Sequence, residues 1–326
     1  MNIKAIKTNI KPIILQLFPK YYYHRLIHTG KEEKNVNCYQ IANTLSVPYD
    51  PAGKYPTMYT EPQDFYEERK RKMAYDQNGI PMYRYQGTPI YHPVYLIQWG
   101  LSEFGYYLST HNDTHLETAK LIADWLLKNQ DKKNGLWYYP YDYVHEFTNC
   151  KLTAPWASAM AQGQAVSLLT RIYRLTKDEK YIAASIKAIA MLDVPVSDGG
   201  FAAEVWGHTI FEEYPTIPYS LTLNGFMFCA LGLYDLTTVI DDEKARQLWE
   251  VAKQALEAIV PLYDGDLMSV YCLSYVNMGN IKRHWAEHYH PLHITLLQCF
   301  ESIMPNPTFE FYIRRWAKFL GIKIGE

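Results

Sequence analysis

The chain has 326 residues, 48% of them apolar, with 32 basic against 34 acidic side chains and a formal net charge of −2. That apolar content fills one large core or two and argues against disorder, while the near-neutral balance lacks the positive excess that a nucleic acid partner demands. Five scattered cysteines (Cys38, Cys150, Cys229, Cys272 and Cys299) with no CxxC pair argue against a disulfide framework or a thiolate zinc site, and fit a reducing cytoplasm.

In chain order, residues 1–37 form a basic N-terminal segment. Lys4, Lys7, Lys11, Lys20, Arg25 and Lys31 precede the first acid, Glu32, and surround the apolar run Pro12–Phe18. The run is too short to span a bilayer and lacks a small-residue cleavage site. Two placements stay open: against an anionic membrane surface, as a peripheral contact on its inner face, or against the chain's own domain.

Residues 38–90 are rich in proline, tyrosine and turn residues and read as an irregular region with a β-hairpin. Its tip falls at Asp76-Gln77-Asn78-Gly79, where Asn-Gly suggests a type I′ turn.

Residues 91–326 read as four helix hairpins. The segments Tyr91-His92-Pro93, Ala154-Pro155-Trp156, Ile217-Pro218-Tyr219 and Tyr289-His290-Pro291 open alike, with their prolines 62, 63 and 73 residues apart. A proline in a first helical turn gives up an N–H that would be unpaired there anyway, so each predicts a helix start. Gly100, Gly163, Gly225 or Gln298 follows, the glycines allowing close helix approach. Second helices are predicted at Thr114–Lys128, Asp178–Leu192, Asp242–Val260 and Pro307–Leu320, the first three ending at turns with Gly135, Gly200 and Gly265, each 65 residues apart.

A period of this kind predicts a mainly α architecture, an incomplete (α/α)4 toroid. The connections 136–154, 201–217 and 266–289 are longer than compact domains usually carry unless functional. They are expected to converge at one end of the ring as a cleft.

The densest chemistry sits in the second connection, in Phe211-Glu212-Glu213-Tyr214-Pro215-Thr216. Pro215 forces Tyr214 into extended backbone, so Glu213 and Tyr214 project differently from a loop that cannot relax. Of two adjacent carboxylates one normally faces solvent, and Glu212 is read as that one, structural in role. Twenty-nine tyrosines and eight tryptophans suit the apolar faces and hydroxyl edges of sugars, although many would fill a core with their polar tips at its edge. Trp137 and Trp156 are candidate sugar-stacking rings.

Glu-Glu-Tyr-Pro-Thr, followed by Leu223-Asn224-Gly225-Phe226 and Gly232-Leu233-Tyr234-Asp235-Leu236, resembles the C-terminal domain of the D-glucuronyl C5-epimerases, which interconvert glucuronate and iduronate in heparan-type polysaccharides. Ala154-Pro155-Trp156-Ala157-Ser158-Ala159-Met160-Ala161-Gln162-Gly163-Gln164, and Tyr289-His290 with His293-Ile294, are similar to further motifs of that family. The resemblance runs from about Tyr91 to Phe319. It implies a short homologue in which the family's β-barrel module is trimmed, a uronate-containing glycan as substrate, and functional roles for Glu213, Tyr214, Tyr271 and Tyr289.

C5 epimerisation removes a proton from the carbon beside a carboxylate and returns one to the opposite face, which needs an acceptor, a donor and stabilisation of the enolate-like charge. Glu213 and Tyr289 are expected to be that pair, with Tyr214 and Tyr271 assisting. Burial would raise the glutamate, and a cation would lower a tyrosine. Arg283, His284, His290 and Lys282 are candidates for the cation and for binding the carboxylate, and Arg84 for binding a neighbouring uronate. No cofactor is expected, since no GxGxxG, Walker or HExxH pattern occurs, and no metal, since nothing completes a set around His288, His290 and His293. A homodimer is compatible with everything above.

Three other functions share these features: a lyase that starts with the same proton abstraction, an inverting glycosidase pairing a carboxylate with Glu204 or Asp198, and a glycan-binding module without turnover.

Overall fold

The computed structural model describes residues 41–56, 70, 71, 73–277 and 284–325. The basic segment 1–37, Lys282 and Arg283 lie outside the described residues.

The chain is mainly helical. Four pairs of consecutive helices pack on one another: α1 (Pro93–Thr110) with α2 (Asp113–Asn129), α3 (Ala159–Thr176) with α4 (Glu179–Ala188), α5 (Leu223–Thr237) with α6 (Glu243–Ile259), and α8 (His290–Ile303) with α9 (Pro307–Phe319). A four-residue helix, α7 (Ser274–Asn277), lies between the last two pairs. The first helix of each pair belongs to an inner row in which α1 touches α3, α3 touches α5 and α5 touches α8. α3 is buried continuously from Ala159 to Ile172, and all but one residue of α5 from Leu223 to Leu236 is buried. The partner helices are amphipathic and cover that row from outside.

Side-chain caps start most of the helices. Asn112, Ser158, Asp178, Asp242 and Asn306 each accept an N–H from the first turn, and His92 does so through Nδ1 from Tyr95 at 3.2 Å. Pro93 and Pro291 sit in the first turns of α1 and α8, as the sequence suggests. Pro155 and Pro218 do not open helices: both follow cis peptide bonds, and their helices start after Ser158 and Thr222. The intervening residues are held otherwise, Trp156 and Ala157 by strand pairing and Leu221 by a carboxylate.

Glycine allows α3 and α5 to touch. A Cβ on Gly163 would collide with the Cys229 backbone, and one on Gly232 with that of Gly163.

A three-stranded antiparallel sheet, β1 (Ala74–Tyr75), β2 (Pro81–Tyr85) and β3 (Thr88–Ile90), precedes the helices. Its first turn departs from the I′ expectation, because only Gly79 has positive φ (80°). Asp76 instead accepts Gly79 N–H on its carbonyl and the Asn78 and Ile80 N–H groups on Oδ1, organising a longer loop.

Four two-stranded antiparallel ribbons occupy the long connections: β4 (Tyr138–Tyr139) with β7 (Trp156–Ala157), β5 (Tyr143–Val144) with β6 (Lys151–Leu152), β8 (Ala202–Val205) with β9 (His208–Phe211), and β10 (Val270–Cys272) with β11 (His284–Trp285). Residues 41–56 run over α3, α5 and α8, where Val47 N–H donates to Gln298 O at 3.1 Å, Tyr49 N–H to Ser302 Oγ at 2.9 Å, and Arg171 Nε–H to Gly53 O at 3.0 Å. Among the described residues, no helix is long and apolar enough to cross a membrane.

Candidate active site

The three long connections meet. Tyr143, His145 and Phe147 come from the first, Glu213 and Tyr214 from the second, and Tyr271, His284 and Tyr289 from the third. Tyr214 lies 5.5 Å from Tyr143 and 4.8 Å from His145 between ring centroids. Phe147 lies 5.5 Å from Tyr271 and 4.1 Å from His284, and Tyr271 lies 4.9 Å from Tyr289. The sequence-predicted quartet Glu213, Tyr214, Tyr271 and Tyr289 is therefore one cluster.

Glu213 is 7% exposed, and its Oε2 has no hydrogen-bond partner among the described residues. Burial raises its pKa to about 7, and a hydrogen bond from Tyr214 opposes the rise. Gly225, in the first turn of α5, makes room for it, since a Cβ there would strike the Glu213 carboxylate and Cβ. This glycine serves the carboxylate rather than a second helix.

Glu212 is fully buried, contrary to the expectation that it faces solvent. Its Oε1 accepts Leu221 N–H at 2.8 Å and its Oε2 accepts the Ser220 hydroxyl at 2.5 Å. Leu221 has φ of 53°, a conformation a leucine keeps only under constraint. Its carbonyl accepts from Tyr263 Oη–H at 2.6 Å and from Leu273 N–H at 3.3 Å. Glu212 thus pins the loop bearing Glu213 to the strand bearing Tyr271. Burial raises its pKa to about 8.

The tyrosines depart from the expected lowering. Burial pushes Tyr214, Tyr271 and Tyr289 above the ordinary value of 10, and Glu213 reinforces the shift in each. They are held as phenols, able to donate. Tyr214 and Tyr271 also share a hydrogen bond. α5 starts without a side-chain cap at Thr222, beside the cluster, whereas at the start of α8 the Tyr289 and His290 N–H groups both donate to Ala286 O.

The proposed substrate-binding residues separate. His284 is half-buried against Phe147, at the site. His290 is 1% exposed and belongs to the frame: its Nδ1 accepts Ser269 N–H at 3.0 Å, and its Nε2 lies 3.2 Å from Trp316 O. Its pKa falls to about 3 through burial, so it supplies no cation. Trp137 is core as well, 1% exposed with Nε1–H donating to Leu126 O at 2.9 Å.

Trp156 backs the site rather than offering a platform. Tyr139 covers one face at 4.0 Å and 7° between planes, and Nε1–H donates to Tyr141 O at 2.9 Å. Arg84 is exposed on β2, beside Tyr85, which stacks on Tyr141 at 4.0 Å.

Sequence reasoning overlooked Tyr143, His145 and Phe147. The signal was there: Tyr139, Tyr141, Tyr143, His145 and Phe147 alternate at period two, the spacing that puts rings on one face of an extended segment. A groove lined by Thr237, Ile240, Arg246, Trp249 and Glu250 lies at the far end of α5 and touches none of these residues.

The family model described as the D-glucuronyl C5-epimerase C-terminus matches residues 130–318. A D-glucuronyl C5-epimerase of Caenorhabditis elegans is 33% identical over 226 residues, covering 65% of this chain and 36% of that protein. An uncharacterised protein of Methanocaldococcus jannaschii is 24% identical over 216 residues, 63% of this chain and 68% of its own. A family 76 glycoside hydrolase from a bovine Bacteroides thetaiotaomicron strain superposes with a TM-score of 0.48 at 13% identity, covering 69% of this chain and 46% of that one. The matched region contains the Glu213, Tyr214, Tyr271 and Tyr289 cluster and the connections that build it, and through that region this chain belongs to the D-glucuronyl C5-epimerase family.

Proposed function

We propose that the chain inverts C5 of D-glucuronate to L-iduronate within a uronate-containing glycan, in a cleft at one end of an incomplete α/α toroid formed by the four helix pairs. The observation that carries this is a buried carboxylate with an unpaired oxygen, Glu213, in one cluster with three phenols; burial raises the carboxyl to about 7 and keeps the phenols protonated. A base poised near neutrality beside proton donors is the pairing that abstraction and return at a weak carbon acid require.

Glu213 takes the C5 proton on one face, and Tyr289 gives its phenolic proton to the other. One turnover leaves Glu213 protonated and Tyr289 ionised. The hydroxyls of Tyr214 and Tyr271, in the same cluster, can carry the proton back. Tyrosine donors and the uncapped start of α5 favour the charge that builds on the uronate carboxylate. Exposed Glu204 and Asp198 lack the burial that sets Glu213 apart, which speaks against a glycosidase pair.

In deuterated buffer, the parent is expected to place deuterium at C5 of glucuronate in a heparosan-type chain without forming the ultraviolet-absorbing unsaturated ends of a lyase. Glu213→Gln and Tyr289→Phe should each slow the exchange by about 10²–10⁴-fold. Unsaturated product, or binding without exchange, would replace this reading with lyase or with binding module.

A further inference from the structure

His145 has no role in the proton-transfer scheme, yet it stands inside the cluster. It is 1% exposed, 4.8 Å from the Tyr214 ring and edge-on to Phe147 at 5.6 Å. Its tautomer can be derived. Thr148 N–H can only donate, and it points at His145 Nδ1 at 3.2 Å, so Nδ1 carries the lone pair. The Thr148 hydroxyl lies 3.0 Å from the same nitrogen and can add a second donor.

In the neutral ring the proton is therefore on Nε2. That Nε2–H is buried and has no acceptor among the described residues. A buried donor without an acceptor is costly, and native proteins rarely tolerate one unless it has a task. The turn Glu146–Cys150 holds the ring in place: Asn149 N–H donates to His145 O at 2.8 Å, and His145 N–H to Cys150 O at 2.8 Å.

Resting on the function proposed above, we propose that His145 is a substrate-contacting residue whose neutral Nε2–H donates to the uronate carboxylate as charge builds on it during abstraction at C5. The ring stays neutral because burial, aided by His284, lowers its pKa to about 4. The groups around it are Tyr143, Tyr214 and His284. A neutral imidazole donates a hydrogen bond without giving up its proton.

The first readout uses the unaltered full chain labelled with 15N-histidine. Between pH 5 and 8 His145 is expected to show the Nε2–H tautomer without titrating, and sodium D-glucuronate, but not D-glucose, should shift that Nε2–H signal. A ring that titrates in this range, an Nδ1–H tautomer or an unmoved signal would overturn the proposal.

The second readout is C5 exchange. His145→Phe should lower kcat by about 10²-fold with a smaller change in KM, the scale of losing one donor to a developing oxyanion. His145→Gln, which keeps an N–H at a similar reach, should recover about tenfold. Equal rates for parent and His145→Phe would count against the proposal. If the parent exchanges nothing, the proposed function falls, and the glucuronate titration alone decides whether His145 meets a carboxylate.

Discussion

Two sets of buried charge stand near opposite ends of α5, and they are built on opposite rules. At the C-terminal end, Asp235 accepts from Arg171 Nη1–H at 2.6 Å and from Tyr49 Oη–H at 2.9 Å. Arg171 also donates to Ser167 O, Gly53 O and Asp50 O, with both charged side chains fully buried. Every charge there has a partner, and Arg171 is held ionised by Asp235. About fifteen ångströms away by helical rise, near Gly225, Glu213 keeps an oxygen with no partner and His145 keeps a donor with none. Paired charges fix a structure, whereas a buried carboxylate oxygen and imidazole donor left unpaired in one aromatic cluster invite an explanation. The first region is a bolt, and the second is the receptor proposed above.

Breaking the bolt should give the largest loss of stability. Arg171→Met leaves Asp235 buried with only Tyr49 as a strong donor, and is expected to cost about 3–5 kcal/mol in urea unfolding. Arg171→Met combined with Asp235→Leu should cost clearly less than the single change, because no charge is then stranded. A double variant as unstable as the single would show that the pair does more than satisfy its own burial.

The receptor should show the opposite dependence on charge. Glu213 has a folded pKa near 7 against an ordinary 4.5, so between those values the folded chain binds more protons than the unfolded one. Stability from this group is then fully present below pH 4.5 and is lost as pH rises to 7, by about 3 kcal/mol. Glu212, raised to about 8, extends the same slope upward. Glu213→Gln should flatten the fall between pH 5 and 7 and leave the variant more stable than the parent at pH 8, although inactive. An unchanged slope would show that the carboxylate is not desolvated in solution.

How far this contrast could be foreseen depended on the kind of force involved. The four helix pairs were legible because caps such as Asn112, Asp178 and Asp242 and the amphipathic outer faces are local signals. Pro155 and Pro218 misled because their neighbours are held by partners remote in sequence: Trp156 by pairing with Tyr139, and Leu221 by Glu212. The meeting of Glu213, Tyr214, Tyr271 and Tyr289 could be anticipated from motif resemblance. Their protonation could not, because it depends on how tightly the rings close around them. Local pattern likewise could not show that His290 faces Ser269 and Trp316, or that Glu212 turns inward, since each is decided by which distant backbone group arrives to be bonded.

The smallest stability change expected falls beside the receptor. Gly225→Ala adds one methyl group at the first turn, where it would strike the Glu213 carboxylate and Cβ. Alanine is the better helix former by about 1 kcal/mol, and overpacking costs about 1–3 kcal/mol, so the net loss should be about 2 kcal/mol or less. Activity should respond far more. The carboxylate can avoid the methyl only by moving off its position beside Tyr214, and a displacement of about 1 Å in a reacting group costs on the order of 10²-fold in rate. Deuterium exchange falling that far in a variant that still unfolds cooperatively would show that the glycine is kept for the place it leaves to Glu213. Exchange at the parental rate would show that the carboxylate has room the structure does not give it, and its raised pKa would then need a cause other than confinement.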